Sequence, residues 1–203
     1  GIGLGTLAGL RPGVLDNIIL FASNLGFAVP TFFAGLLLMS LFSVQLGWFP
    51  VFGSGSGEGI ASRLTHLTLP ALALALPSIA VVSRITRTAV REERESEHAM
   101  TARSRGVPER VLIPRHVIRN SLLPVTTVSG VHIAGLLAGA FVVESVFTLD
   151  GIGALLVTSI QQKDFAVVQA VALIMVVAFG LINLLVDLLY AVIDPRVRLG
   201  GAS

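Results

Sequence analysis

The 203-residue chain is 54% hydrophobic and only 13% charged, against roughly a quarter charged in an ordinary soluble domain. With a mean hydropathy of +0.87, this composition excludes a typical soluble fold and makes lipid the main solvent of the chain. The net charge is only +2 and there is no Cys, which excludes disulfide, thiol-nucleophile and thiolate-metal chemistry.

The opening GIGLGTLAGL carries no charge. It has none of the parts of a signal peptide and reads as the end of a transmembrane helix truncated at its start, over residues 1–10. Uncharged stretches then run over Asn17–Gly57, Leu64–Ser83, Asn120–Val143 and Phe165–Val186. Each reaches the roughly 20 residues that cross a hydrocarbon core of about 30 Å. The first is too long for one span and too short for two. Its tail, Gly47-Trp48-Phe49-Pro50 before GSGSGEG, reads as an interfacial aromatic pair entering a flexible loop, which leaves a helix from Asn17 to about Leu46. Four full spans plus the partial one are expected, with Pro30 and Pro77 kinking two of them from inside.

Thirteen of the 14 basic residues are Arg, and nine of these lie between Arg84 and Arg119. With alternating spans, Arg11, these nine, Arg196 and Arg198 share one side, and only Arg63 and Lys163 take the other. The positive-inside rule makes the side with twelve cytoplasmic. The odd number of visible spans then starts the chain outside, which calls for at least one further helix before Gly1.

The segment of about residues 84–120 carries five acids beside its nine Arg and has no Phe, Tyr or Trp. A nucleic-acid arm would need stacking aromatics or a longer basic run, so a membrane-side segment is preferred. Arg84 to about Met100 lacks Pro and Gly and offers Arg91 with Glu95 at i,i+4, so it can prolong the preceding span as a helix. Gly106 then breaks that helix and Pro108 starts a second short one. The result is a rigid protrusion that another protein can grip.

In the third full span, Gly135 and Gly139 form a GxxxG with His132 on the same face, a pattern that permits close helix approach. The last span ends on a polar stripe of Asn183, Asp187, Tyr190 and Asp194. Such residues in lipid face a bundle interior or a water-filled path. Asp187 pairing with an Arg of the 84–120 segment and an interfacial place for Glu144 are the structural alternatives. Catalytic and metal signatures are missing: the single Lys has no P-loop around it, the four His have no metal-ligand spacing, and Gly151-Ile152-Gly153 lacks the third glycine of a dinucleotide fingerprint.

Thr101-Ala102-Arg103-Ser104-Arg105-Gly106-Val107-Pro108-Glu109-Arg110, with Arg115-His116-Val117-Ile118-Arg119-Asn120 running to Pro124, resembles the cytoplasmic coupling loop of bacterial ABC-importer permeases. The dipeptide/oligopeptide/nickel permease family is the nearest branch, through its T-A-R-x-x-G and R-H-x-x-R-N-x-x-x-P. Further matches are Val142-Val143-Glu144-Ser145-Val146-Phe147, Gly151-Ile152-Gly153, Asp164-Phe165, and Asn183 to Tyr190 running into Asp194-Pro195-Arg196. The similarity also covers Gly1 to Pro50, with Pro-Thr-Phe at 30–32 and Leu-Gly-Trp-Phe-Pro at 46–50, so in effect all 203 residues are covered. The sequence departs from the general loop at Met100-Thr101-Ala102, where Glu-Ala-Ala is usual.

The resemblance implies an all-α, polytopic membrane helix bundle of the type I ABC importer permease kind, with about six spans in the intact family. Residues 11–199 would form the permease domain, with a short tail at 200–203. It implies a non-catalytic subunit of an ATP-driven importer of short peptides, multi-pass in the bacterial inner membrane, with the coupling loop and C-terminus cytoplasmic. Partners would be a homologous second permease, cytoplasmic ATP-binding subunits that carry ATP and Mg, an extracytoplasmic substrate-binding protein, and lipid, with no nucleic acid. Thr101, Ala102, Arg103, Arg105, Gly106, Val107, Pro108 and Glu109 would contact the ATPase, Arg103 and Arg105 through its carboxylates. His132, Glu144, Asn183 and Asp187 would line the path. The alternatives are nickel or another small solute on the same architecture, or an ion-coupled transporter or channel using Glu144, Asp187 and His132 as relays.

Overall fold

The computed structural model describes residues 1–57 and 59–193, and the described residues are helical with no strand among them. In chain order the helices are α1 (Ile2–Leu10), α2 (Val14–Ala28), α3 (Thr31–Leu38), α4 (Ile60–Glu95), α5 (Glu97–Ser104), α6 (Glu109–Leu112), α7 (Arg119–Phe147), α8 (Ile152–Gln161) and α9 (Phe165–Ile193). Two π-helical stretches, Met39–Gln45 and Ile113–Ile118, prolong α3 and lead into α7. The fold is that of an all-α membrane bundle. By length and composition, α4 and the 165–186 part of α9 can each cross a membrane, and up to four spans result if each bent helix pair counts as one.

The prolines sort by the residue in front of them. Pro70, Pro77 and Pro124 lie inside α4 and α7, and each follows a Leu. Pro30 follows Val29, and there the chain leaves the helix, with Pro30 extended at ψ 141° as the residue before α3. A residue before proline is pushed out of the α region, and a β-branched side chain adds its own reluctance. Leu holds the helix where Val does not. The single kinked helix expected from Asn17 to Leu46 is therefore two helices. Ile113, also β-branched and ahead of Pro114, stands where the α-helix widens into a π-helical turn.

The expected span Leu64–Ser83 is the first part of α4, whose 36 residues exceed the roughly 20 that cross a hydrocarbon core. It continues into the arginine-rich segment as expected, but ends at Glu95 and not near Met100. Ser96 leaves the helix (ψ 153°) because its side chain caps the next one, accepting the Ala99 N–H. Arg91 does not pair with Glu95; its guanidinium goes to Asp16.

The chain divides into two compact units, one made of residues 1–27, 78–132 and the part from Asn183, the other of residues 28–77 and 133–182. Two of the boundaries fall beside Pro30 and at Pro77. In the second unit Met39, Leu69, Ala73, Val143 and Phe147 form the core. Gly35 lets the Phe147 ring approach, and the Phe147 carbonyl accepts the Gly53 N–H at 3.1 Å. Gly139 packs against Leu74, whereas a Cβ at Gly135 would meet nothing within 4 Å. Among the described residues, only one half of the expected GxxxG is a close-packing site.

The close glycine packing is elsewhere, in the first unit. Gly1, Gly5 and Gly9, one turn apart, lie against Val82, Ser83, Thr86 and Val90 of α4. An added Cβ would stand 2.7 Å from Val82 Cβ at position 1 and 2.8 Å from Val90 Cβ at position 9, and would overlap the Ser83 carbonyl at position 5. Gly3, on the other face, has nothing within 4 Å. Overpacking of this kind costs about 1–3 kcal/mol. Gly5→Val should therefore lower the thermal midpoint of the detergent-solubilised protein by roughly 5 °C, while Gly3→Val leaves it unchanged; equal midpoints for the two variants would refute the glycine contact.

Candidate functional site

The arginine-rich segment folds into a helical hairpin. Val90, Ala99, Leu112 and Val117 are fully buried in one small core, with Leu10, Ala102 and Val107 packed against it. This core joins the ends of α1 and α4 to α5, α6 and the π-helical turn. Ser96 starts α5: its hydroxyl donates to the Glu93 carbonyl at 2.7 Å and accepts the Ala99 N–H at 3.4 Å, the arrangement that satisfies a free donor at a helix start. Glu93 also anchors the flanks, with His98 Nε2 2.9 Å from its carboxylate and Asn120 Nδ2 donating to it at 3.4 Å.

Gly106 ends α5 at φ +79°. Its N–H donates to the Arg103 carbonyl at 2.9 Å, and the Val107 N–H donates to the Ala102 carbonyl at 3.1 Å. This pair of bonds is the left-handed helix ending that glycine favours, and Val107 follows it into the core. A Cβ at Gly106 would meet nothing within 4 Å, so the glycine is required by its backbone angle and not by crowding. Pro108, at φ −68° and ψ 144°, then leads into α6. The expected order of helix, glycine break and short proline-led helix is what the structure contains.

Inside the hairpin Arg103 donates through Nε to Glu109 Oε1 at 2.7 Å and through Nη1 to the Arg94 carbonyl at 2.8 Å. Arg94 in turn donates to the Leu10 carbonyl at 3.1 Å. The residues singled out from sequence thus separate into two groups. Ala102, Arg103 and Val107 are half-buried and serve the hairpin's own structure. Thr101, Arg105, Gly106, Pro108 and Glu109 are exposed, beside Met100 and Val111 at 53% and 39% exposure. Arg110 is exposed as well.

Of the four residues expected along a path, His132 and Asn183 are half-buried in the first unit and Glu144 belongs to the second. The side chains of Asp187 and Tyr190, and all of Asp194, Arg196, Arg198 and the 200–203 tail, lie outside the described residues. Glu144 is committed locally: its Oε2 accepts the Gly153 N–H at 2.7 Å and the Ala154 N–H at 3.2 Å. It thereby caps the start of α8, which lies at 80° to the end of α7. Gly153 is needed for this approach, since a Cβ there would stand 2.6 Å from Phe141 Cα.

Sequence reasoning missed a buried ion cluster. Asp16, 3% exposed, takes Arg87 Nε on one oxygen; on the other it takes Arg87 Nη2 at 2.8 Å and Arg91 Nη2 at 2.5 Å. The signal was present: Asp16 is the only acid in the first 57 residues, and Arg87 and Arg91 stand at i,i+4. On the same unit Arg84 lies over the Phe27 ring, 5.6 Å from its centroid.

Residues 1–199 match the family described as binding-protein-dependent transport system inner membrane component. The glutathione transport system permease protein GsiC of Pectobacterium atrosepticum is 40% identical over 98% of this chain and 63% of its own length. The oligopeptide transport system permease protein AppB of Bacillus subtilis is 39% identical over 97% of this chain and 64% of its own. A probable peptide ABC transporter permease protein of Sinorhizobium fredii, y4tP, is 36% identical over 98% and 64%. The chain spans a little under two thirds of the length of these curated relatives.

The hairpin's ends make separable contributions. Gly106→Ala forces a Cβ into the left-handed region and Ser96→Ala removes a cap, each at a cost of about 1 kcal/mol. Amide exchange over residues 97–107 should quicken roughly fivefold in either variant, with residues 165–180 as the unaffected control.

Proposed function

We propose that this chain, which belongs to the family of binding-protein-dependent transport system inner membrane components, forms much of a permease subunit in an ATP-driven importer of short peptides. The relatives named for glutathione, peptide and oligopeptide transport support the substrate class. The observation that carries the coupling role is the hairpin itself. A folded core with both helix ends capped holds Met100, Arg105, Gly106, Pro108 and Val111 outward at the end of a long helix. Residues 101–110 seat in a groove of a cytoplasmic ATPase subunit, so that closure of the ATPases around ATP and Mg moves α4 and α7. The chain itself does no chemistry.

Residues 84–119 hold nine of the thirteen Arg, which supports a cytoplasmic placement of the hairpin. An external binding protein delivers the peptide to the opposite face, and a homologous second permease completes the path. Part of α9 supports such a lipid- or subunit-facing role: only 6% of its most apolar stretch is buried within the chain. Among the relay groups of an ion-coupled transporter, Glu144 is already engaged by two backbone N–H groups, which weighs against that alternative.

Gly106→Arg places a long cation on the exposed left-handed turn. The complete permease carrying it should insert and fold but lose ATP-driven uptake of a labelled tripeptide in proteoliposomes with its partners. Wild-type uptake by this variant would overturn the coupling role, and uptake driven by a proton or sodium gradient without ATP would overturn the importer class.

A further inference from the structure

We propose that Asp16 is a positioning residue for the hairpin: its buried carboxylate fixes the seat from which the tip, residues 97–112, is held. The part of the proposal that concerns transport rests on the function proposed above; the structural part does not. Asp16 lies at the start of α2, 71 residues before Arg87, and both its oxygens are occupied by guanidinium groups.

Arg87, Arg91 and Arg94 stand at i, i+4 and i+7 on α4, and all three reach into residues 10–16. The first two bind Asp16, and the third binds the carbonyl of Leu10. These contacts do not stop at α4. The Arg94 carbonyl receives Arg103, Arg103 binds Glu109, and Leu10 packs against the hairpin core. Two sets of polar contacts result, Asp16 with Arg87 and Arg91, and the Leu10 carbonyl with Arg94, Arg103 and Glu109, and the last turns of α4 join them from the start of α2 to the outer turn. Everything along them belongs to one compact unit. Coupling between separated sites is carried by such contiguous networks when they join rigid elements, and here the elements joined are α1, α2, the outer part of α4 and the tip. Movement of the tip by a partner is then passed through the last turns of α4 to the start of α2.

The test uses the complete permease in lipid nanodiscs. Asp16→Asn keeps the shape of the side chain and removes its charge. Amide exchange at residues 99–107 should quicken about tenfold, although these residues do not touch position 16; acceleration confined to residues 14–18 and 85–92 would overturn the proposal. Should Asp16→Asn fail to insert, Arg91→Gln leaves both Arg87 contacts in place and should still quicken exchange at residues 99–107 by about threefold, and an unchanged tip would again overturn it. Asp16→Glu should restore protection in part.

In proteoliposomes holding the permease with its ATPases and binding protein, Asp16→Asn should lower the labelled tripeptide imported per ATP hydrolysed by at least about fivefold, with the ATPases still bound. An unaltered ratio would remove the coupling half of the proposal. Absence of ATP-driven uptake in the wild-type complex would instead defeat the peptide-import reading, and the exchange measurement would still decide the role of Asp16.

Discussion

A buried carboxylate has to be answered by charge and hydrogen bonds, and Asp16 is only 3% exposed. Removing one partner from such a cluster costs about 3–5 kcal/mol, and much of the first unit is arranged around this demand at Asp16. Two guanidinium groups one helical turn apart on α4 can reach the same carboxylate only if the start of α2 lies alongside that turn. This requirement fixes the path of residues 11–13 and the rotation of α4 about its axis. The same rotation turns Val90 into the hairpin core and toward Gly9. It also carries Arg94 to the end of α1, where the last carbonyls of a helix lack partners of their own. The bidentate arginine geometry matters here, because a lysine at position 87 would offer a point charge without the fork.

Lipid gives helices no hydrophobic reason to associate, so close backbone approach and polar contacts have to supply the attraction. Both occur where α1 meets α4. The glycines at 1, 5 and 9 remove side chains from the interface, and Val82, the Ser83 carbonyl and Val90 of α4 fill the space. In the second unit the aromatic ring of Phe147 does comparable work against Gly35, and its carbonyl holds Gly53. Large apolar side chains point outward along much of α9, as they do on any helix whose surroundings are as apolar as itself.

Much of this was legible in the residues. Uncharged runs marked the long helices, and Gly106 with Pro108 marked the turn at the tip, because each acts on its own backbone. Pro30 was misjudged because the proline alone was weighed, although the residue before it decides whether a helix continues; Val29 against Leu69, Leu76 and Leu123 makes that difference visible. The GxxxG at 135 and 139 stated what one helix offers, but not whether another comes to it. The same spacing at 1, 5 and 9 had a partner and went unremarked. Asp16 was hidden by sequence distance, and α8 by its ten residues, too few to announce themselves against the flanking spans. The Gly-Ile-Gly at 151–153, first a mere point of resemblance, acquires a reason: the backbone must come close enough for Glu144 to cap α8.

The emptiness around Gly106 has a stereochemical consequence. Its φ of +79° belongs to the mirror image of the region that L-residues favour, and no neighbour limits the volume there. The position thus discriminates handedness and not size. A D-alanine would sit at that angle without strain and would narrow the choices of the unfolded chain, where L-alanine strains the turn. Every L side chain at this turn of the hairpin carries the same backbone cost of about 1 kcal/mol, whatever its size, so with glycine there the side chains a partner reads come from the positions around it.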